Sequence, residues 1–332
     1  MSALYPWQEN DWLRLQALRA RPPQGLLFKG IKGIGELELA MHFTYALLCQ
    51  QPHSSGTACG ACPACHWLSQ GTHPDFRLVQ PDALSLAGEE SETGKKPSKQ
   101  ISVEQIRELA DFLSLSAHQG GKRVIIIHPA EAMNHNAANA LLKSLEEPPR
   151  DMLFILVTHK AQQLLPTILS RCVAFNLTAP DVATATTWLQ TQGIAQPANA
   201  LASAGFAPLL ALQGDAQTGL DEREKLLVAL RQPSVLDVFA LAEMLQKTEQ
   251  VLVVQWLQQW SFDLSAMKLA GSVRYHMQDA AAIKKLVAPI EPLELARLQK
   301  LLQTAKREAQ HTLNPKLFFE SLLLAYRQLL TA

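Results

Sequence analysis

The sequence has no excess of charge of either sign. Its 332 residues include 30 Lys or Arg and 30 Asp or Glu, so the formal net charge is zero. A protein whose whole surface binds nucleic acid usually carries a clear basic excess, so any such contact here must be local or shared with partners. Hydrophobic residues make up 48% of the chain, which excludes intrinsic disorder, because disorder needs low hydrophobicity and high net charge.

Signals for membrane insertion and export are also missing from the sequence. No apolar stretch approaches the roughly 18 residues that a transmembrane helix needs. The opening residues, Met1 to Trp7, have neither the basic nor the apolar region of a signal peptide. We therefore expect a cytoplasmic protein, and in a reducing cytoplasm a cluster of cysteines indicates a metal site sooner than disulfides.

Short apolar segments alternate with helical patterns in the first half of the chain. The predicted strands are 25–28, 76–79, 124–127 and 153–157. Two of them are apolar throughout, as expected where helices cover both faces of a parallel sheet. The spacing of apolar residues predicts helices over 103–116 and 134–147, and Ser102 with Gln105 is predicted to form a capping box. This order predicts an α/β domain with a mainly parallel sheet.

Beyond about residue 178 the strand patterns end and helical spacing begins. We expect an α/β domain over 1–178, a small helical domain over 179–219 and a helical bundle over 220–332. In the last of these, Asn314 and Pro315 are expected to begin the final helix as N-cap and first-turn residues. The segment 82–100 has no periodicity, and we expect a mobile loop there.

Four of the five cysteines lie close together in the sequence, at Cys49, Cys59, Cys62 and Cys65. Two consecutive C-x-x-C intervals bend a loop so that the thiolates converge, and four sulfurs complete the tetrahedral shell of Zn²⁺. Such a closed site leaves no position for water, so we predict a structural zinc module over 49–65 and consider a zinc hydrolase least favoured.

Two other interpretations of the cysteines stay open at this point. Four thiolates also suit an iron–sulfur cluster, and the four cysteines could be unrelated free thiols. His53 and His66 are near enough to replace a ligand, although four cysteines make them unnecessary. Cys172 stands apart from the group and is expected to be a small packed residue.

A glycine-rich turn follows the first predicted strand and opens a helix. Its glycines are Gly30, Gly33 and Gly35. The spacing is that of a P-loop, which then needs a Lys to reach the phosphates and a Ser or Thr to hold Mg²⁺. Glu36 and Leu37 stand at those positions, and Lys32 has the wrong spacing. The order of glycines does not supply the Rossmann pattern either. We predict the backbone spacing of a P-loop without the side chains that bind phosphate and Mg²⁺.

The strand over 124–127 is followed by His128 and Pro129. A Walker-B strand normally ends in the acidic residues that hold Mg²⁺ and orient water. Glu131 comes three residues later and is expected to cap the next helix. Both halves of the machinery are therefore altered, and we expect the chain neither to bind nor to hydrolyse ATP.

Together these features resemble the bacterial clamp-loader family of AAA+ proteins. The resemblance covers most of the chain and is densest over 24–172. It is carried by the four-cysteine insertion, by the string NALLKSLEEPP from Asn139 to Pro149 and by Leu169-Ser170-Arg171-Cys172. It implies an AAA+ P-loop-type sheet domain with a zinc insertion, a small helical lid and a carboxy-terminal helical collar through which the subunits oligomerise.

Within this family the motor subunits, gamma and tau, keep the P-loop Lys and the Walker-B acids. Their loss here implies a non-hydrolysing subunit of the DNA polymerase III clamp loader. The opening Tyr5-Pro6-Trp7 resembles that of such a subunit and is expected to cover the vacated nucleotide pocket. The second sensing arginine of the motor subunits is missing from the corresponding stretch, 205–208.

The resemblance also implies partners and one catalytic side chain. Arg171 would face the ATP site of a neighbouring subunit as an arginine finger, with Ser170 and Cys172 orienting the turn. The ring would contain delta and three gamma or tau chains and would load the sliding clamp onto primer-template DNA. Lys143 is expected to be an electrostatic contributor or DNA contact, or else part of a solvated helix face. An active clamp-loader-type ATPase and a zinc-ribbon nucleic-acid binder remain the alternatives.

Overall fold

The computed structural model describes residues 4–85, 97–114, 121–213, 220–309, 311 and 313–331. The chain divides into two compact units, 1–188 and 189–332. The further division into a lid over 179–219 and a collar over 220–332 stays a prediction.

The first unit is built on a five-stranded sheet. The strands are β1 (Gly25–Lys29), β2 (Phe76–Val79), β3 (Arg123–Ile127), β4 (Met152–Thr158) and β5 (Val173–Asn176). They lie in the order β2-β3-β4-β1-β5, and every pairing is parallel. All four predicted strands are confirmed, and β5 was not predicted.

Nine α-helices accompany this sheet in the described part of the first unit. They are α1 (Glu9–Arg19), α2 (Glu36–Leu48), α3 (Pro63–Ser69), α4 (Asp82–Ser85), α5 (Val103–Arg107), α6 (Leu109–Ser114), α7 (His135–Glu146), α8 (Pro166–Leu169) and α9 (Val182–Thr191), which contains the boundary with the second unit. Short 3₁₀ turns cover Pro6–Gln8, Ala130–Ala132 and Ala161–Gln163.

The sheet separates two hydrophobic cores. Leu26 and Phe28 of β1 pack in one core with α2 and the cysteine loop, whereas Leu27 packs in the other with α5 and α7. This alternation along β1 follows from the period of two in a strand. Because helices cover both faces, the carboxyl end of β1 is held in a fixed place, and the glycine turn begins there.

The helix predictions are confirmed at their starts and corrected inside. Asn134 caps α7 by accepting a hydrogen bond from the backbone N–H of Ala137 at 2.8 Å. The Ser102–Gln105 capping box is present, but the continuous helix expected over 103–116 is two helices with a break at Glu108. Of the predicted loop over 82–100, residues 82–85 form α4, and 86–96 lie outside the described residues.

The described part of the second unit is helical. Its helices are α10 (Pro197–Ser203), α11 (Pro208–Leu212), α12 (Leu220–Leu230), α13 (Val238–Leu245), α14 (Gln250–Ala270), α15 (Ala280–Val287), α16 (Pro292–Glu308) and α17 (Pro315–Thr331), with 3₁₀ turns at Pro233–Val235 and Met277–Asp279. Asn314 accepts a hydrogen bond from the Leu317 backbone at 3.3 Å, as its predicted role as N-cap requires. In the core of this unit the indole of Trp260 donates to the Tyr326 hydroxyl at 2.9 Å.

Among the described residues, no helix is both long and apolar enough to cross a membrane.

Candidate functional site

The glycine turn has the predicted frame of strand, turn and helix. β1 ends at Lys29, and α2 begins at Glu36 with Gly35 as its N-cap at φ +92°. A Cβ on Gly35 would lie 2.6 Å from the Gln8 amide and 2.7 Å from the Tyr5 ring. Both the left-handed backbone and this close approach require glycine here.

The side chain of Glu36 folds back into the turn and fills it. Its carboxylate accepts a hydrogen bond from the backbone N–H of Ile34 at 3.3 Å, and the residue is only 2% exposed. A Cβ on Gly30 would lie 2.6 Å from the Glu36 Cγ. Backbone N–H groups at the start of a helix form a ready anion site. In this chain the anion at that site is the protein's own carboxylate.

His159, which follows β4, joins the two acidic residues near the turn. Its ring donates from Nδ1 to the Glu36 Oε1 at 2.7 Å. Its backbone N–H donates to Glu131 at 3.2 Å, and the Thr158 hydroxyl donates to Glu131 at 2.7 Å. The prediction that Glu131 caps the next helix is therefore wrong: Asn134 has that role, and Glu131 binds the end of β4 instead.

His128 follows β3, at the place where a Walker-B acid would stand. Burial, together with the nearby His159, lowers the pKa of His128 to about 4. The Gln80 amide lies 3.0 Å from its Nδ1. His128 is therefore neutral near pH 7 and supplies no negative charge for a metal ion.

Residues at the amino terminus pack over the glycine turn. The Trp7 indole donates to the carbonyl oxygen of Ile34 at 2.8 Å, and the Gln8 amide donates to that of Gly35 at 2.7 Å. The rings of Tyr5 and Trp7 stack with centroids 5.0 Å apart, and Trp188 meets both edge-on. This contact agrees with the expectation that the opening segment covers the turn.

Arg171 lies near the amino ends of the strands, opposite the end where the glycine turn lies. It stands between α8 and β5, and the pairing of Val173 with Leu26 puts it beside the start of β1. A Cβ on Gly25 would lie 3.0 Å from the Arg171 carbonyl oxygen. Five residues of extended strand cover about 13 Å, so β1 separates Arg171 from the glycine turn by at least that distance.

Three contacts hold the Arg171 guanidinium. Nη1 donates to the Thr167 carbonyl oxygen at 2.9 Å and to the Ser170 hydroxyl at 3.3 Å. Nη2 lies 2.5 Å from Glu146 Oε1, in an ion pair whose side chains are 32% and 49% exposed, Arg171 first. Ser170 also donates to Thr167 O at 3.0 Å. The side chain is thus positioned while still accessible to solvent.

The two residues predicted to accompany Arg171 differ in environment. Burial raises the pKa of the Cys172 thiol to about 11, so Cys172 is protonated near pH 7. A Cβ on Gly25 would lie 3.2 Å from the Cys172 Sγ, so this cysteine packs the turn against β1, as a small packed residue would. Lys143 on α7 is exposed, which fits both a ligand contact and a solvated face.

The four clustered cysteines converge. Their sulfurs all lie within 4.8 Å of one another, with Cys49 3.6 Å from Cys59 and 3.9 Å from Cys62, and Cys59 4.0 Å from Cys65. A tetrahedral zinc ion with bonds of about 2.3 Å requires sulfur–sulfur distances of about 3.8 Å. An iron–sulfur cluster would place several atoms between the thiolates and hold them farther apart. The four cysteines therefore fit a single metal ion such as zinc.

Local structure explains why the sulfurs meet. Cys49 is the C-cap of α2 and Cys62 is the N-cap of α3, while Gly60 turns the loop at φ +72°. Arg19 of α1 donates to the carbonyl oxygens of Gly56 at 3.2 Å and of Ala46 at 2.9 Å, which ties the loop to α2. Neither His53 nor His66 belongs to the converging group.

Sequence reasoning missed His159 and Glu146. His159 stands 123 residues after its partner Glu36, and no local pattern connects them. Glu146 lies inside the string on which the resemblance depends, but an acidic residue near a helix end carries no signal of its own. No Lys or Arg occurs between Arg171 and Arg223, and the loss of the second sensing arginine stays a prediction.

Comparison with known proteins gives relatives over nearly the whole chain. The family model described as DNA polymerase III, delta subunit, matches residues 9–181. The DNA polymerase III subunit delta' of Pseudomonas aeruginosa is 35% identical over 99% of both chains. The subunit delta' of Escherichia coli is 34% identical over 57% of this chain and 53% of its own.

A subunit of a different name and a solved structure are also similar. The Escherichia coli DNA polymerase III subunit tau is 35% identical over 47% of this chain and 22% of its own length. A DNA polymerase III gamma subunit-related protein of Thermotoga maritima has 19% identity and a TM-score of 0.47, covering 95% of this chain and 99% of its own. From the family match and the full-length relative, the chain belongs to the DNA polymerase III delta' family of clamp-loader subunits.

Proposed function

We propose that this chain is a non-hydrolysing subunit of a cytoplasmic clamp-loader ring. Its partners would be delta and gamma or tau chains, and the assembly would load the sliding clamp onto primer-template DNA. The chain would contribute one arginine to the ATP site of a neighbour. Two observations together carry this proposal. The Glu36 carboxylate fills the glycine turn, and Arg171 stays accessible to solvent at the opposite end of the strands.

The filled turn supports the absence of ATP binding. A triphosphate would have to displace Glu36 from the Ile34 N–H and break its hydrogen bond to His159. It would then meet a negative charge where a P-loop has its lysine. With neutral His128 at the end of β3, the Walker-B acid that holds Mg²⁺ is replaced by an uncharged ring.

The place of Arg171 supports action on another chain. A separation of about 13 Å along β1 is too long for the side chain to reach its own glycine turn. A nucleotide phosphate that it contacts at a P-loop would therefore be bound by a second subunit. There the guanidinium would stabilise the charge on the transferring phosphoryl group, an effect of about 10³–10⁵ in rate in well-studied enzymes.

The cysteine site supports a structural metal. Cys49, Cys59, Cys62 and Cys65 would hold Zn²⁺ with all four coordination positions filled by sulfur, which leaves none for a reacting water. When bound, the ion would supply folding energy to the loop and no catalytic chemistry. Backbone N–H groups of Cys59 and Cys62 point at neighbouring sulfurs at 3.3 Å, an arrangement that favours thiolates.

The test is an Arg171→Ala variant in a complex reconstituted with delta and gamma. We expect normal ring formation by size-exclusion chromatography and a lowered DNA-stimulated ATPase rate. Arg150→Ala is the matched control, because Arg150 is exposed on the same domain and should leave the rate unchanged. Wild-type ATPase and clamp loading in the Arg171→Ala complex would contradict the proposal.

The isolated chain separates the two alternative functions. Measurable Mg²⁺-dependent ATP affinity would favour an active ATPase of the clamp-loader type. Tight DNA binding by the chain alone, with a steep dependence on salt, would favour a zinc-ribbon nucleic-acid binder.

A further inference from the structure

Arg171 is held from two directions, by its own turn and by the end of α7. The turn contributes the Thr167 carbonyl and the Ser170 hydroxyl, and α7 contributes the Glu146 carboxylate. We propose that Glu146 is a positioning residue that fixes the Arg171 guanidinium for a phosphate on the neighbouring subunit. This inference depends on the trans role of Arg171 given in the proposed function.

The hydrogen bonds leave part of the guanidinium available. An arginine has five N–H donors in a rigid plane. In Arg171 the Nη1 group donates to Thr167 O and Ser170 Oγ, and Nη2 lies 2.5 Å from Glu146 Oε1 in an ion pair. Among the described residues, the Nε donor and the second Nη2 donor have no protein acceptor. The two hydrogen bonds and the ion pair therefore restrict where the guanidinium lies, and the remaining donors stay available for an incoming oxygen.

Stability of α7 does not explain an acidic residue at this place. The carboxyl end of a helix carries a partial negative charge and favours cations, yet α7 ends in Glu146 followed by Glu147. The positive charge of Arg171 compensates Glu146 at this end. Because both partners are partly exposed, their pairing contributes little to the stability of the fold, and its effect falls on where the guanidinium points.

Fixed orientation matters for a group that stabilises a transition state. Donors already aimed at the developing charge need no reorganisation during the reaction, and a misplacement of about 1 Å can lower a rate by about 100-fold. Without Glu146, the Arg171 side chain would keep only the contacts to its own turn. We therefore expect slower phosphoryl transfer at the neighbour's site with unchanged binding of ATP.

The experiment compares variants of this chain in the reconstituted complex. The rate with wild-type chain and the rate with Arg171→Ala set the upper and lower limits of the DNA-stimulated ATPase. We expect Glu146→Ala to lose more than half of that difference in kcat, with KM for ATP unchanged. Glu146→Gln should lie between, because it keeps the size of the side chain and a polar oxygen but carries no charge.

Glu147→Ala is the matched control. Glu147 is the adjacent exposed carboxylate on the same helix end, and it makes no ion pair with Arg171. The wild-type rate is expected for this variant. In the double variant Glu146→Ala/Arg171→Ala, the rate should equal that of Arg171→Ala alone, because Glu146 acts through Arg171. Thermal unfolding and ring formation are measured for every variant, and Glu146→Gln replaces Glu146→Ala if the latter does not assemble.

The outcomes separate this inference from the proposed function. If Arg171→Ala leaves the ATPase unchanged, the trans role fails and the positioning role with it. If Arg171→Ala lowers the rate and both Glu146 variants keep it, only the positioning role is overturned. A further loss in the double variant, or a loss with Glu147→Ala, would also overturn it, since the effect would not pass specifically through the Glu146–Arg171 contact.

Discussion

Two acid–base pairs in the first unit have similar separations and opposite surroundings. Glu36 and His159, near the carboxyl ends of the strands, lie 2.7 Å apart with side chains 3% and 12% exposed. Glu146 and Arg171, near the amino ends of the strands, lie 2.5 Å apart with side chains 49% and 32% exposed. Burial, rather than distance, therefore separates a contact that closes a site from one that leaves a site open.

The difference follows from the cost of moving charges away from water. A buried pair loses hydration and is stable only while both partners and their further hydrogen bonds stay in place. Glu36 meets that condition through Ile34 and His159. An exposed pair keeps much of its hydration, so either partner can exchange its contact for another ion. The first pair is suited to filling a site and the second to offering a charged group to a partner.

The largest expected effect concerns the cysteine loop, which α2 connects to the filled glycine turn. This helix runs from Glu36 to the residue before Cys49. We expect Cys62→Ser to lose bound zinc and to unfold the loop over 49–65, because zinc binding contributes about 10–16 kcal/mol of local folding energy. Metal analysis and limited proteolysis measure the two changes. Cys172→Ser is the matched control, as the cysteine outside the cluster.

Two results would contradict this expectation. One is a full equivalent of zinc in the Cys62→Ser chain. The other is visible absorbance from iron in the wild-type chain, which would support an iron–sulfur cluster in place of zinc.

A second effect tests the buried pair directly. His159→Ala leaves the buried Glu36 carboxylate without one of its hydrogen bonds, and a buried group that loses its partner typically costs about 1–3 kcal/mol. We expect a lower free energy of unfolding in urea. Lys160→Ala, a change at the adjacent exposed residue, should alter stability by less than about 0.5 kcal/mol. Equal stability of the two variants would show that burial does not distinguish the pairs as described.

The smallest effect is the pH dependence of stability that His128 contributes near the filled turn. The folded state lowers the pKa of His128 to about 4, through burial and the nearby His159, whereas the unfolded value is about 6.5. Between these values the unfolded chain binds more protons, so stability falls as the pH falls from 6.5 towards 4. From pH 7.5 to pH 5 this group contributes a loss of about 2 kcal/mol.

Replacing His128 by Asn should remove this contribution. The loss of unfolding free energy between pH 7.5 and pH 5 should then be smaller than in the wild-type chain by about 2 kcal/mol. Urea unfolding at the two pH values measures it. Equal losses in both chains would mean that His128 does not titrate in this window.

Much of the fold could be predicted because its signals are local. The buried strands are apolar runs, and the predicted caps Ser102 and Asn314 involve residues three positions apart. β5 was missed because it is a four-residue edge strand with one buried residue, Phe175, so it has no continuous apolar pattern. The break at Glu108 was missed because apolar spacing continues across it.

The site was predictable in its parts and not in its contacts. The sequence shows that Glu36 stands where a P-loop has its lysine, and this predicts the loss of phosphate binding. That the carboxylate also fills the turn depends on His159 and Ile34, whose positions are set by the sheet. Glu131 was assigned to the wrong partner because a sequence favours the nearest helix, whereas the fold brings the end of β4 closer.

The two ends of the parallel strands differ, and this difference would orient the chain in an assembly. A subunit that both holds a nucleotide and supplies an arginine can have motor neighbours on either side and extend a series. Under the proposed function this chain, with a filled turn at one end of the strands and Arg171 at the other, would serve a motor subunit on one side only. In the proposed ring it would therefore mark one end of the series of ATP sites. The order of subunits would then follow from which end of its strands carries the filled turn.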